Sequence, residues 1–170
     1  MYPISVIIAL GSNIGNFKIN FQNAIESISK FGQIKSVGQI YVSKPYGLKE
    51  QNNFYNTAIE ILTTCQPMEL MSKLQSIEKK LIKNKKIPNG PRKIDLDIIF
   101  FGSKIVKNSQ IEIPHPRAMD RDFVLKPICD FKPFYRHPLS KLTLKETLES
   151  LSSCYIIKLL DSNDLRKKFF

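Results

Sequence analysis

IDLDIIF, residues 94–100, sets two aspartates, Asp95 and Asp97, into a run of apolar and β-branched residues. GPRK precedes it at 90–93 and FG follows at 101–102. A short run of this kind, bounded by Gly and Pro, reads as a strand. Its place in the order of elements decides the fold. Just upstream, Pro67 opens a helix with Leu70, Met71, Leu74, Ile77 and Leu81 on one face. Before that helix, YNTAIEIL (55–62) and IKSVGQIYV (34–42) read as strands, separated by the polar loop KPYGLKEQNN (44–53). Phe17, Phe21, Ala24, Ile25, Ile28 and Phe31 recur at helical intervals, with Gly32 as the stop. ISVIIAL (4–10) is a buried strand that runs into the turn GSNIGN. The strand at 94–100 therefore completes β-α-β-β-α-β, the split βαβ or ferredoxin-like order. The expected class is α+β: an antiparallel-rich sheet with helices packed on one face.

Further elements extend this core. FGSK makes a turn and IVK a short strand. IPHPRAMDRDF (113–123) begins as a proline-broken loop and gives way to a short helix. TLKETLESL (143–151) opens with a capping box, Thr143 with Glu146. YIIKLL (155–160) is a last strand. There is no repeat, low-complexity segment or internal linker, so residues 1–170 read as a single domain. At this length folding removes roughly 70% of the unfolded chain's surface, enough for a core without disulfides or metals.

Composition narrows the function classes. Hydrophobic residues make up 42% of the chain, which excludes a disordered protein. Cys65, Cys129 and Cys154 are far apart and form no CxxC or Cys/His cluster, as expected of unpaired thiols in a reducing compartment. The opening MYPISVIIALGSN has no basic leader and no run long enough to span a bilayer, so the expected location is cytoplasmic. The net charge is +11, from 26 Lys and Arg against 15 Asp and Glu. Such an excess attracts polyanions: nucleic acid, anionic lipid or nucleotide phosphates. Seven of the basic residues fall in 79–93, which holds no acid and ends against the two aspartates.

Strand side chains alternate between faces. Ile94, Leu96, Ile98 and Phe100 are expected on one face, with Asp95, Asp97, Ile99 and Phe101 on the other. The two acidic Cα atoms then stand roughly 6.5–7 Å apart. The apolar neighbours on the acid-bearing face and the basic loop beside it argue against a bare solvated surface. Two carboxylates converging at about 4 Å repel by near 4 kcal/mol at an effective dielectric of 20. A divalent cation removes that cost, and a few hard oxygen ligands with room for phosphate suit Mg²⁺. Two ions could clamp both sides of a phosphoryl displacement, with the basic cluster holding the remaining phosphate charge. No Walker A sequence is present. Flanking prolines fix the loop around His115, and Arg117 and Arg121 stand nearby, a setting that suits a phosphate-facing imidazole.

LGSN (10–13), Phe54-Tyr55-Asn56, GPRKIDLDIIFFG (90–102) and PHPRAMDRDFVLKP (114–127) resemble, in order and spacing, the 6-hydroxymethyl-7,8-dihydropterin pyrophosphokinases of folate biosynthesis. The resemblance covers roughly residues 4–160. It implies transfer of the β,γ-pyrophosphoryl unit of ATP to the pterin hydroxymethyl oxygen, with release of AMP. It assigns two Mg²⁺ to Asp95 and Asp97. It assigns ATP contacts to Arg92, His115 and Arg121, and also to Gln75, Glu78 and Ile98. On the pterin side it implies a sandwich between Phe54 and Phe123 and edge recognition by Asn56. Asp95 and the loop residues Ser43, Pro45, Tyr46 and Gly47 complete that pocket.

The chain also departs from the family pattern. Lysines 83, 85 and 86 stand where a Gly-Arg-x-Arg segment is usual, keeping charge without the bidentate fork, and are expected phosphate contacts. Asn89 replaces a usual Trp, and the chain has no Trp. Residues 11–16, 44–53 and 83–91 are expected as lid loops. The implied partners are the two small-molecule substrates, with no nucleic acid and no membrane. The ending LRKKFF leaves open a free enzyme or one domain of a folate-pathway fusion. The alternative class is a basic ferredoxin-like nucleic-acid-binding module, which would place aromatics on the open sheet face.

Overall fold

The computed structural model describes residues 2–81 and 90–170. The chain runs β1 (Ile4–Ser12), α1 (Phe17–Ile28), β2 (Gln33–Val37), β3 (Ile40–Ser43), β4 (Phe54–Thr63), α2 (Pro67–Leu81) and β5 (Asp95–Phe101). It continues with β6 (Val106–Lys107), β7 (Glu112–Ile113), a 3₁₀ turn (Ala118–Asp120), α3 (Asp122–Cys129), α4 (Leu144–Glu149), β8 (Ile156–Leu160) and α5 (Asn163–Phe169). The main sheet is ordered β5-β1-β4-β3-β8, with β2 also paired to β4. Every pairing in it is antiparallel. This is the expected βαββαβ core, extended at one edge by the C-terminal strand.

Local chemistry accounts for the helix starts. The Asn16 side chain caps α1 by accepting the N–H groups of Lys18 and Ile19. The capping box at Thr143 and Glu146 forms as its spacing requires. Helix α1 stops at Ile28, before Gly32. Gly32 instead serves close packing, since a Cβ there would sit 2.8 Å from Ile61 Cδ1.

Two cores lie on opposite faces of the sheet. Phe21, Ile25 and Ile28 of α1 and Leu70, Leu74 and Ile77 of α2 pack with Val6, Ile8, Ile59 and Ile61. Leu165 of α5 joins them. On the other face, Val124, Leu125 and Ile128 of α3 and Leu144 of α4 pack on Ile7, Ala58, Ile99 and Phe100. Helices thus cover both faces rather than one, because the segment after His115 supplies a second helical layer.

The expected strand at 34–42 is broken at Gly38. A Cβ on Gly38 would come 2.4 Å from the Pro127 carbonyl oxygen of α3. The chain bends there so that α3 can lie close against the sheet. Strand β5 also departs from simple alternation. A register shift opposite Ile7 and Ile8 places Phe100 with Ile99 in the second core and Phe101 in the first. A β-bulge reverses the faces of all residues beyond it. Asp95 and Asp97 precede the shift and keep the expected common face.

Gly38→Ala is expected to destabilise the chain by about 2 kcal/mol, the usual cost of forcing extra volume into a packed contact. Urea unfolding measures it, and an unchanged midpoint would contradict the close contact.

Candidate active site

The second face of the sheet is covered by α3 and α4 only over part of its length. Beyond Ala9 and Ala58 it opens into a cleft of about 180 Å³. Strand register assembles its floor. Asp97 lies opposite Ala9, and Gly11 lies between Asp95 on β5 and Asn56 on β4. Ser43 on β3 faces Phe54 across the next pair. A Cβ on Gly11 would fall 3.7 Å from Asn56 Oδ1, 3.9 Å from Asp95 Cβ and 3.9 Å from Phe54 Cδ1. A side chain larger than methyl would fill the space that these three groups share.

One wall is acidic and basic at once. Arg92 forms an ion pair with Asp95. Asp97 is enclosed mostly by protein while part of its surface reaches the cleft. Burial and the nearby Asp95 and Glu78 carboxylates push its pKa up to about 7. His115 enters from the loop after β7, its backbone N–H bonded to the Ile99 carbonyl at 3.1 Å. Its Nδ1 accepts the Arg117 N–H at 3.3 Å, so the neutral ring carries its proton on Nε2. Burial, then Arg121 and Arg117, lower its pKa and favour that neutral form. The Arg121 guanidinium lies 4.4 Å over the Tyr46 ring. Its Nε is buried without a hydrogen-bond partner.

The rest of the lining includes two phenyl rings and an amide. Phe54 and Phe123 both line the cleft. Asn56 Nδ2 donates to Ser43 Oγ at 2.9 Å and to the Tyr41 carbonyl at 3.2 Å. Its donors are therefore committed, and Oδ1 is the group offered above Gly11.

The structure thus brings Ser43, Tyr46, Phe54, Asn56, Arg92, Asp95, Asp97, His115, Arg121 and Phe123 to one cleft. Pro45 and Gly47 flank Tyr46 without lining it, and Gly47 takes a φ of 88° in that turn. Gln75 is exposed on α2. Glu78 is buried, and its Oε1 accepts the Leu96 N–H at 2.8 Å, so its carboxylate braces β5 from behind. Ile98 is in the first core. Lys83, Lys85, Lys86 and Asn89 lie outside the described residues. Ala9, Gly11, Lys44, Thr57 and Arg117 also line the cleft. Of these, the small residues Ala9 and Gly11 ending an apolar strand were the available sequence signal.

Segment 11–16 is not a free loop. Asn13 is 6% exposed, its N–H donates to the Arg92 carbonyl at 2.9 Å, and its Oδ1 accepts the Arg92 N–H at 2.7 Å. Its Nδ2 donates to Gln51 Oε1 and to the Asn52 carbonyl, each at 3.0 Å. One side chain thereby joins the loop after β3 to the segment before β5.

Residues 7–133 match the family model for 7,8-dihydro-6-hydroxymethylpterin-pyrophosphokinase. The folic acid synthesis protein fol1 of Pneumocystis carinii is 42% identical over 149 residues, 86% of this chain and 20% of that protein. The 2-amino-4-hydroxy-6-hydroxymethyldihydropteridine pyrophosphokinase of Aquifex aeolicus is 32% identical over 142 residues, 84% of this chain and 89% of its own length. The chain therefore spans nearly all of the bacterial relative and about a fifth of the fungal one. The crystal structure of Plasmodium falciparum HPPK-DHPS superposes with a TM-score of 0.69 at 15% identity, over 86% of this chain and 44% of that one, a likeness of fold. With a family model matched across most of its length, and a relative above 30% identity that it covers almost completely, this chain belongs to the 7,8-dihydro-6-hydroxymethylpterin-pyrophosphokinase family.

Proposed function

We propose that this chain transfers the terminal pyrophosphoryl unit of ATP to the hydroxymethyl oxygen of 6-hydroxymethyl-7,8-dihydropterin, giving AMP and the pterin diphosphate in folate biosynthesis. One observation carries the reading. A single cleft is lined both by an acid pair with arginines and by the rings of Phe54 and Phe123 with the Asn56 amide. The first half suits a triphosphate and the second a planar heterocycle. A nucleic-acid module fits less well, because the open face of β5 presents carboxylates where such a module stacks bases.

The donor set fits Mg²⁺. Among the described residues no group of three or more His, Cys, Asp or Glu could hold an ion alone. Two carboxylates that leave the remaining positions to water and phosphate oxygens are how this ion is usually bound beside nucleotides. Burial of Asp97 beside Asp95 and Glu78 leaves excess negative charge that a cation would relieve. We assign two ions to Asp95 and Asp97; they would supply charge neutralisation for the phosphoryl oxygens.

The chain's own side chains do the rest. Arg92, now on Asp95, and Arg121, which also lines the cleft, are placed to grip phosphate oxygens. Neutral His115 offers Nε2–H to another. Phe54 and Phe123 hold the pterin ring between them, and Asn56 Oδ1 accepts one ring N–H. This fixes the hydroxymethyl group toward Asp95 and Asp97. Positioning and charge neutralisation are most of what a phosphoryl-type transfer asks of a protein.

Incubation with ATP, Mg²⁺ and the hydroxymethyl-dihydropterin should yield AMP, and absence of AMP would sink the assignment. Asp97→Ala should abolish AMP formation while leaving the circular dichroism spectrum intact. Asp97→Asn should also be inactive, yet more stable than the parent by about 2 kcal/mol in chelator at pH 8, since it removes a buried charge among carboxylates. Equal or lower stability would refute the crowding of charge. Asn56→Ala should weaken pterin binding about tenfold with ATP affinity unchanged, read by titration calorimetry.

A further inference from the structure

Three aromatic rings meet beside the cleft, and only two line it. Tyr46 and Phe123 do; Tyr155, just ahead of β8, stands behind them. Its ring centroid is 5.5 Å from that of Tyr46 at 59°, and 5.8 Å from that of Phe123 at 82°. The second contact is edge-to-face, a favoured geometry for aromatic pairs. Tyr46 and Phe123 are 6.4 Å apart. The guanidinium of Arg121 rests on the same group, 4.4 Å from the Tyr46 centroid and 5.9 Å from that of Phe123.

The backbone of Tyr155 is pinned on both sides. Its N–H donates to Asp122 Oδ2 at 2.9 Å, the Ile156 N–H donates to the same oxygen at 3.0 Å, and its carbonyl accepts the Lys44 N–H at 2.9 Å. Asp122 is 5% exposed, and its Oδ1 accepts the Phe123 N–H at 2.8 Å. One buried carboxylate thus fixes the backbone of both rings in the edge-to-face pair.

We propose that Tyr155, anchored by Asp122, is a positioning residue for Phe123, setting the plane of the ring that stacks on the pterin. This rests on the reading of the cleft as a pterin site. A half-buried phenyl ring turns readily about its last torsion, and a stacking platform works only when its plane is held. Tyr155, nearly perpendicular to that ring, and Tyr46, packed against both, together limit the turn. The brace comes from the residue just before β8, beyond residues 7–133 where the family match lies.

The test compares the unsubstituted chain with Tyr155→Ala and Tyr155→Phe, by pterin binding at equilibrium, by KM for each substrate and by melting temperature. Tyr155→Ala is expected to raise the pterin Kd and KM about fivefold to tenfold, with KM for ATP and kcat moving less than twofold. Tyr155→Phe keeps the ring and is expected to stay within about twofold of the parent. Should Tyr155→Ala not fold, Tyr155→Leu, which has bulk without a ring edge, carries the same expectation. Unchanged pterin affinity in the alanine or leucine variant, whatever its melting temperature, would overturn the brace alone. An equal loss in Tyr155→Phe would also overturn it. No pterin binding by the unsubstituted chain would overturn the reading of the cleft, and the brace with it.

Discussion

Strand β1 is paired on both sides, and the rest of the molecule follows from that. Its register with β4 sets Gly11 against Asn56, and its register with β5 sets Gly11 against Asp95. A pairing slip of one residue would move every side chain of a strand to the other face. The Asn56 amide and the Asp95 and Asp97 carboxylates therefore share a cleft only because two ladders agree at one glycine. The two cores enforce that agreement, since a slip would bury Asp97 in the layer under α1 and α2 and expose Ile8 or Ile98.

Charge is distributed against the overall sign of the chain. A protein with a formal charge of +11 gathers Asp95, Asp97 and Glu78 within interaction distance of one another. The excess cation is not spread uniformly; Arg92, Arg117 and Arg121 stand around the cleft. In the proposed function the basic rim draws in a polyanion, and the acid pair would fix where it sits through a divalent ion. A purely basic cleft would hold phosphates without defining their register.

Much of this was legible before any coordinates. The period-2 run at 94–100 placed Asp95 and Asp97 on one face, and the helical spacing from Phe17 to Ile28 fixed the first layer. The Thr143–Glu146 capping box formed as read. The bulge in β5 was not legible, because no Gly or Pro marks it and the shift depends on its partner strand. The break at Gly38 was hidden for a similar reason: its cause is the carbonyl of Pro127, far away in sequence. Glu78 carries no local sign that it serves the Leu96 amide. Tyr155 sits in a segment that reads only as a strand, so its contact with Phe123 needs the tertiary fold. Motif spacing pointed to groups that line the cleft, and packing alone revealed those that hold them.

Asn13 has a consequence for entropy. By bonding to Arg92, Gln51 and Asn52, it ties together two segments that each supply residues to the cleft, before any ligand arrives. Immobilising a flexible side chain at a binding site typically costs about 0.5–1.5 kcal/mol, and a floppy loop adds more. Here part of that ordering is already done by folding. A ligand entering the cleft meets segments with fewer conformations left to lose, so more of its contact energy is retained as affinity.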